Sequence, residues 1–326
     1  MRTGNRYARS TALLLCALIA TLISAQASQA AQSNLSSKNG SKKTLVAAAP
    51  QQKVLAIIDT GLDGTATDIF KNIVSEACVS HNGSCPNGQN FMAGAGAATL
   101  PTEALHNQTF AHGTQVVSAA IAANKNVRIL EVRCSSIVEK SKWEGCSYDD
   151  IATSLDWLNQ NHAQLNLGAV VLPMATVPTT TCDVDVKNQE LVAELASSDI
   201  PVIASSGNSG VYNGISNPAC IPGVLAISAT DSSGDIATYA NYSPRVDFAA
   251  SGEFNVTTHN NRKIFAEGTS LAAGAFGSEW LALASTKSLT MADQLTLLAA
   301  HSKQVSAPVG NSTVKVVAAD LLNITR

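Results

Sequence analysis

The chain has 326 residues, of which 45% are hydrophobic and only 14% are charged, so it can bury a sizeable core and is not a disordered protein. Its net charge of −3 argues against a nucleic-acid-binding surface.

The N-terminus has the pattern of a secretory signal peptide. Three arginines precede an apolar run from Thr11 to Ile23, which is too short for a transmembrane helix, and small residues suited to cleavage follow. We therefore predict a signal peptide over residues 1–30, a polar linker over 31–50 and one folded domain over 51–326. Export places the protein outside the cell or in a periplasm, with no membrane anchor once the signal is removed.

Six cysteines lie beyond the predicted signal peptide. An even number in an exported chain indicates disulfides. Pairing neighbours along the sequence gives Cys78–Cys85, Cys134–Cys146 and Cys182–Cys220. Other pairings of six cysteines stay open at this point, while the lack of any C-x-x-C spacing disfavours a metal site.

Short apolar runs alternate with helical patterns along the rest of the chain. The runs predict strands covered on both faces, at residues 54–58, 127–132, 169–172, 201–204 and 224–227. Helices are predicted at residues 112–123, 148–162, 187–196, 269–284 and 291–301, whereas residues 63–110 predict mostly loop. This alternation predicts an α/β fold of three layers, with a mostly parallel sheet and helices on both faces.

Two polar side chains at the ends of these elements form a candidate acid and base. Asp59 ends the first predicted strand in IIDTG, and ligands gather at the carboxyl ends of parallel strands. His112 opens a predicted helix in the motif HGT. A carboxylate that accepts a hydrogen bond from a histidine ring fixes the tautomer that acts as a general base. Taken alone, the D-T-G motif is better explained by a turn aspartate, and the structural alternative for His112 is a surface or capping histidine.

A candidate nucleophile and a candidate oxyanion donor follow. Ser270 stands in EGTSLAAG at a helix start, where the positive helix end favours loss of the hydroxyl proton. Asn208, in SSGNSG, can donate its amide to a developing oxyanion. The structural alternatives are a helix-capping serine and a turn asparagine. Together the four motifs predict a serine-hydrolase site, since Asp…His…Ser is a known order for a catalytic triad.

The segments AIIDTGLD, HGTQVVSAAIA, IASSGNSG and EGTSLAA resemble those of the subtilisin-like serine proteases, or subtilases. The resemblance implies that Asp59, His112 and Ser270 form the triad and that Asn208 is the oxyanion donor. It further implies that residues 51–326 are the catalytic domain of a secreted, monomeric endopeptidase. Such an enzyme cleaves polypeptide substrates through an acyl-enzyme.

The resemblance implies no catalytic cofactor. Relatives often bind a stabilising calcium ion, and Asp63 and Asp68 are acidic loop residues here. Their spacing is not that of a diagnostic calcium-binding loop.

The sequence departs from the family pattern in three places, and two of them, the altered cleft segment and the short segment ahead of the domain, motivate an alternative function. Gly274 stands where the family usually has proline, and the cleft-lining segment 169–175 reads AVVLPMA instead of ending in a Ser-x-Gly type segment. Pro173 removes a backbone donor from an edge to which extended peptides add as a strand, and Met174 adds bulk. The segment ahead of the domain is also short for the family's folding pro-domain. The alternative is a catalytically weak or inactive protease-like binding or scaffold protein.

Overall fold

A computed structural model describes residues 52–306, apart from 107, 140–141, 181, 183–185 and 287–288, together with residues 313–316. The predicted signal peptide (1–30) and linker (31–50) lie outside the described residues and stay predictions.

The described chain is built on a ten-stranded sheet and two separate hairpins. The strands are β1 (Val54–Asp59), β2 (Ile73–Val79), β3 (Phe91–Ala93), β4 (Arg128–Arg133), β5 (Ser136–Glu139), β6 (Lys142–Glu144), β7 (Leu167–Leu172), β8 (Val202–Ser205), β9 (Leu225–Thr230), β10 (Phe248–Ser251), β11 (Glu253–Thr257), β12 (Lys263–Glu267), β13 (Lys303–Ser306) and β14 (Thr313–Val316). The large sheet has the order β13-β14-β10-β9-β8-β7-β1-β4-β2-β3. Its eight inner strands run parallel, and β3 and β13 add antiparallel edges. The hairpins are β5–β6 and β11–β12.

Helices cover both faces of this sheet. They are α1 (His112–Ala123), α2 (Tyr148–Leu165), α3 (Val186–Ser197), α4 (Thr269–Thr286) and α5 (Met291–His301), with short 3-10 turns at Thr67–Asn72, Thr102–His106, Gln108–Ala111 and His259–Asn261. One apolar core joins α1, α4 and α5 to the sheet, and a second core joins α2 and α3 to its opposite face. The predicted three-layer α/β fold is therefore confirmed.

The apolar runs form the central strands of the sheet, because helices pack against both faces of these strands. Every residue of β1, β7, β8 and β9 is buried. All five predicted strands and all five predicted helices are confirmed, with ends that agree within three residues. In β1, Leu55 and Ile57 enter the α1/α4 core, while Ala56 and Ile58 enter the opposite core.

Residues 63–110 contain more regular structure than the sequence predicted, because β2 and β3 lie there. Glu76 interrupts the apolar pattern of β2, which hides the strand from sequence analysis. The Glu76 carboxylate is nonetheless buried, since it accepts hydrogen bonds from the backbone N–H groups of Gly96 (2.9 Å) and Ala98 (3.1 Å). Backbone donors some 20 residues downstream thus satisfy the buried Glu76 carboxylate. The sequence pattern around Glu76 gives no sign of these distant donors.

Three disulfides link the cysteines as the sequence analysis predicted: Cys78–Cys85, Cys134–Cys146 and Cys182–Cys220. Their Cα atoms lie 5.7, 5.0 and 5.5 Å apart, as disulfide geometry requires. Within the described ranges, no helix combines the length and hydrophobicity needed to cross a membrane.

Candidate active site

Asp59 and His112 meet at the carboxyl edge of the sheet. Asp59 is the last residue of β1 and is 2% exposed, while the His112 side chain, at the start of α1, is 33% exposed. His112 Nδ1 lies 2.8 Å from both carboxylate oxygens of Asp59. Because an ionised carboxylate only accepts, Nδ1–H is the donor, and this leaves Nε2 as the basic nitrogen.

Thr60 holds this pair in place, although the sequence analysis assigned it no function. Its backbone N–H donates to Asp59 Oδ1 (2.5 Å). Its hydroxyl accepts a hydrogen bond from the N–H of Gly113 (2.9 Å) and donates to the carbonyl of Phe110 (3.1 Å). Ala111, at the N-cap position of α1, has no side-chain acceptor, so Thr60 caps this helix from the neighbouring strand end.

The environment of His112 favours its protonated form. Burial acts to lower the pKa of His112, but the charge of Asp59 and the hydrogen bond to it outweigh burial and raise the pKa above the usual 6.5. A base must be neutral to accept a proton. The pair is therefore competent as a general base only above that raised pKa.

Ser270 and Asn208 approach the same edge from α4 and from the loop after β8. Ser270 is the second residue of α4 and is 7% exposed. The Asn208 side-chain oxygen accepts hydrogen bonds from the backbone N–H (2.9 Å) and the hydroxyl (2.8 Å) of Thr269. These two donors fix which end of the amide is oxygen. The amide NH₂ group is thereby left as a donor.

Thr269 is the second residue that the sequence analysis passed over. It is fully buried, and its hydroxyl also accepts the N–H of Gly207 (3.1 Å). Because Thr269 directly precedes Ser270, its hydrogen bonds link the oxyanion candidate Asn208 to the segment that carries the nucleophile candidate. Its place inside the GTS motif was visible in the sequence, but its partners are 61 and 62 residues away.

One cavity of about 750 Å³ brings the four predicted residues together, since Asp59, His112, Asn208 and Ser270 all line it. Among the described residues, no hydrogen bond joins the Ser270 hydroxyl to His112. Such catalytic bonds are often long in unliganded enzymes and tighten when substrate binds.

The cleft-lining segment that departs from the family pattern forms one wall of this cavity. β7 ends at Leu172, and residues 173–176 continue along the cavity. The carbonyl of Met174 accepts a hydrogen bond from the Ser205 hydroxyl (3.2 Å), and the N–H of Thr176 donates to the carbonyl of Asn217 (3.1 Å). Protein partners thus hold this wall in place on both sides of Ala175.

The two acidic residues considered for calcium are engaged by protein groups. Burial acts to raise the pKa of Asp63, yet hydrogen bonds from Thr65 and His259 hold that pKa below its usual value. Asp68 lies 3.9 Å from the ammonium of Lys263. No cluster of three or more His, Cys, Asp or Glu side chains suited to a metal occurs in the part of the chain that the structure describes. Asp63 and Asp68 therefore do not fit a calcium site.

The family of this chain is shown by its similarity to known proteins. The profile of the Subtilase family matches residues 51–298, well over half of the chain. The chain belongs to the subtilase family. Among curated relatives of this subtilase, the thermostable alkaline protease of Halalkalibacterium halodurans is 27% identical over 54% of this chain. Subtilisin Savinase of Lederbergia lenta is 31% identical over 48%.

The subtilase chain spans about half the length of these curated relatives, 48% and 56% respectively. The extracellular protease of Xanthomonas campestris is 26% identical over 64% of this chain and 38% of its own length.

Solved structures agree in fold. A protease from Pseudoalteromonas arctica superposes with a TM-score of 0.66 at 18% identity, covering 84% of this chain and 90% of the other. A cold-adapted subtilisin-like serine proteinase gives 0.59 at 19% identity, covering 82% and 88%.

Proposed function

We propose that this subtilase is an exported serine endopeptidase that hydrolyses polypeptides through an acyl-enzyme. Asp59, His112 and Ser270 are its triad, and Asn208 is its oxyanion donor. The observation that carries the proposal is their convergence on one cavity, with the Asp59–His112 hydrogen bond formed and the Asn208 amide held by Thr269.

The chemistry follows from these positions. The Ser270 hydroxyl oxygen attacks the scissile carbonyl while His112 Nε2 takes its proton, and Asp59 stabilises the imidazolium that forms. The oxyanion accepts hydrogen bonds from Asn208 Nδ2 and from the backbone N–H of Ser270. His112 then gives the proton to the leaving amine as the C–N bond breaks. Water hydrolyses the acyl-enzyme by the same steps in reverse, which restores Ser270.

The proposed setting is extracellular or periplasmic, with residues 1–30 as signal peptide, 31–50 as linker and 51–326 as a monomeric catalytic domain. Three disulfides in a chain of this size support an oxidising compartment. A relative described as an extracellular protease supports the same setting.

A fluorophosphonate probe tests the proposal directly, because it labels only a serine that the site activates. We expect the purified exported form to be labelled and to cleave casein, and Ser270→Ala to do neither. Ser209→Ala is the matched control, since Ser209 lines the same cavity and should be dispensable for labelling.

Failure of the well-folded parent protein to label would contradict the proposal and favour the inactive binding or scaffold function. The cavity wall at Pro173 and Met174, which departs from the family pattern, is the observation that makes this second function worth testing. Circular dichroism of parent and variants separates loss of chemistry from loss of fold.

A further inference from the structure

Glu131 is a buried acid next to the active site that the proposed mechanism does not use. It lies in β4 and is 0% exposed. Neither carboxyl oxygen of Glu131 accepts a hydrogen bond of normal geometry, although the backbone N–H of Gly61 lies near enough to favour the ionised form slightly. Glu76 on the adjacent strand, by contrast, accepts hydrogen bonds from two backbone N–H groups. An ionised carboxylate without donors is among the costliest groups to bury.

The neighbours of Glu131 make a negative charge there still less favourable. In the sheet register Glu131 pairs with Ile57 of β1 and with Glu76 of β2. Asp59 lies two residues beyond Ile57 on the same face, so carboxyl groups from three neighbouring strands lie on this side of the sheet.

The nearest cation on the same strand does not neutralise the cluster. Arg133 lies on the same face of β4, but its guanidinium donates to the backbone carbonyls of Thr99 (3.2 Å) and Ser84. Burial lowers the pKa of Arg133 to about 10, as expected for a cation without a carboxylate partner.

Glu131 also contacts the first turn of α1. A β-carbon added to Gly113 would lie 2.9 Å from Glu131 Oε1 and 2.5 Å from the carbonyl oxygen of Gly61. Only glycine therefore fits between the Glu131 carboxyl and the loop after β1. Gly113 directly follows His112, so the carboxyl lies against the turn that carries the proposed base.

These surroundings determine the charge state. Burial is the main cause that raises the pKa of Glu131 well above its usual 4.5; the charges of Asp59 and Glu76 raise it further, and only the Gly61 N–H opposes them. The group is therefore a neutral acid over a pH range in which exposed glutamates are ionised.

We propose that Glu131 is a positioning residue that must be uncharged: the neutral carboxyl supports the first turn of α1 and keeps His112 aligned with Asp59, and its ionisation displaces that turn. The inference rests on the proposed function only for the consequence that activity falls. An ionised carboxyl would have to gain a donor, and the nearest backbone lies in the tightly packed Gly61–Gly113 contact. Any movement there shifts His112.

Because the pKa of Glu131 differs between the folded and unfolded chain, the stability of the protein depends on pH. The native protein keeps the Glu131 proton at pH values where the unfolded chain has lost it, so unfolding releases a proton. Stability from this group is complete below about pH 4.5, the usual value, and is lost as the pH rises toward and through the raised pKa. The loss is up to about tenfold in the folding equilibrium constant per pH unit.

The test compares the parent protein with Glu131→Gln, a neutral side chain of the same shape, in urea unfolding between about pH 5 and 10. We expect the parent's folding constant to fall relative to Glu131→Gln by up to about tenfold per pH unit. Glu190→Gln, on the exposed face of α3, is the control and should follow the parent. Glu131→Met, which is apolar and of similar volume, replaces Glu131→Gln if the buried amide prevents folding.

A second measurement tests whether Glu131 positions the His112 side chain. We expect the His112 ring resonance in NMR to show an alkaline titration step in the parent that both Glu131 variants lack. The rate of fluorophosphonate labelling should fall in the same pH range in the parent only. The acid step of His112 itself should remain in all proteins.

Parallel pH dependence of unfolding in parent and variants would overturn the inference, because Glu131 would then not be a neutral acid. A stability difference without the alkaline His112 step would overturn its positioning part. Absence of labelling at every pH would instead contradict the proposed function, and the NMR and unfolding measurements would still decide the protonation and effect of Glu131.

Discussion

Thr269 orients the side chain of Asn208, the proposed oxyanion donor, although Thr269 itself does not line the cavity. Its hydroxyl and its backbone N–H both donate to the Asn208 side-chain oxygen. Removing the hydroxyl leaves one of these two bonds, so the amide keeps part of its orientation. If Asn208 is the oxyanion donor, we therefore expect Thr269 to affect how well a developing negative charge is stabilised.

We predict that Thr269→Val, which keeps the side-chain shape, lowers kcat about tenfold with little change in KM. Asn208→Ala should cost on the order of 10²–10³-fold in kcat, the known cost of removing such a donor from a subtilisin. Thr269→Ser retains the hydroxyl and should stay close to the parent. Steady-state kinetics on a chromogenic peptide provides the measurement. An unchanged kcat in Thr269→Val would show that the backbone bond alone orients the amide.

At the element scale, the contact between α1 and α4 explains the glycine at position 274. A β-carbon at Gly274 would lie 2.8 Å from Val116 Cγ1 and 3.1 Å from the Val116 carbonyl oxygen. Gly274 is one turn beyond Ser270, and Val116 is one turn beyond His112. The close approach of the two helices therefore helps to set the separation of Ser270 and His112, the proposed nucleophile and base. A proline in this place would meet the same obstruction.

We predict that Gly274→Ala destabilises the protein by about 1–3 kcal/mol through overpacking, reduced by about 0.5–1 kcal/mol of improved helix propensity. The same change should lower kcat/KM, because α1 carries His112. Val116→Ala makes room for the new methyl group, so the double variant should be more stable than the sum of the single changes implies. Urea unfolding of all four proteins measures this coupling. Strict additivity would mean that the Val116 side chain is not the obstructing group.

At the scale of the whole molecule, the three disulfides close loops of very different length. Cys182–Cys220 spans 38 residues, whereas Cys78–Cys85 spans 7. Cross-linking lowers the conformational entropy of the unfolded chain more for a longer loop. The long bridge also ties the segment before α3 to the loop after β8, which lines the cavity near Pro218.

We predict that replacing Cys182 and Cys220 by serine costs about 4 kcal/mol of stability, against about 2.5 kcal/mol for the same change at Cys78 and Cys85. Thermal unfolding at equal protein concentration, with and without reductant, ranks the two variants. Reductant should abolish the difference between each variant and the parent. The opposite ranking would indicate that contacts in the folded state, not loop entropy, determine the contribution of each bridge.

The local features of this protein follow from short stretches of its amino-acid sequence. The apolar runs, helical patterns and neighbouring cysteines each depend on residues close together in the chain, and the predicted strands, helices and disulfides are confirmed. The four motifs identified Asp59, His112, Asn208 and Ser270 as candidates for the same reason, since each motif is a short local pattern that contains a glycine.

The residues that support this site, in contrast, depend on contacts that form only when distant parts of the chain fold together. Thr60 caps a helix that begins about 50 residues later, and Thr269 holds an amide about 60 residues earlier. In the sequence, Glu131 is a single charged residue within an apolar strand. Folding buries it away from water and places Asp59 and Glu76 beside it. Burial and long-range contacts change the charge state and function of a side chain, and neither can be read from its neighbours along the chain.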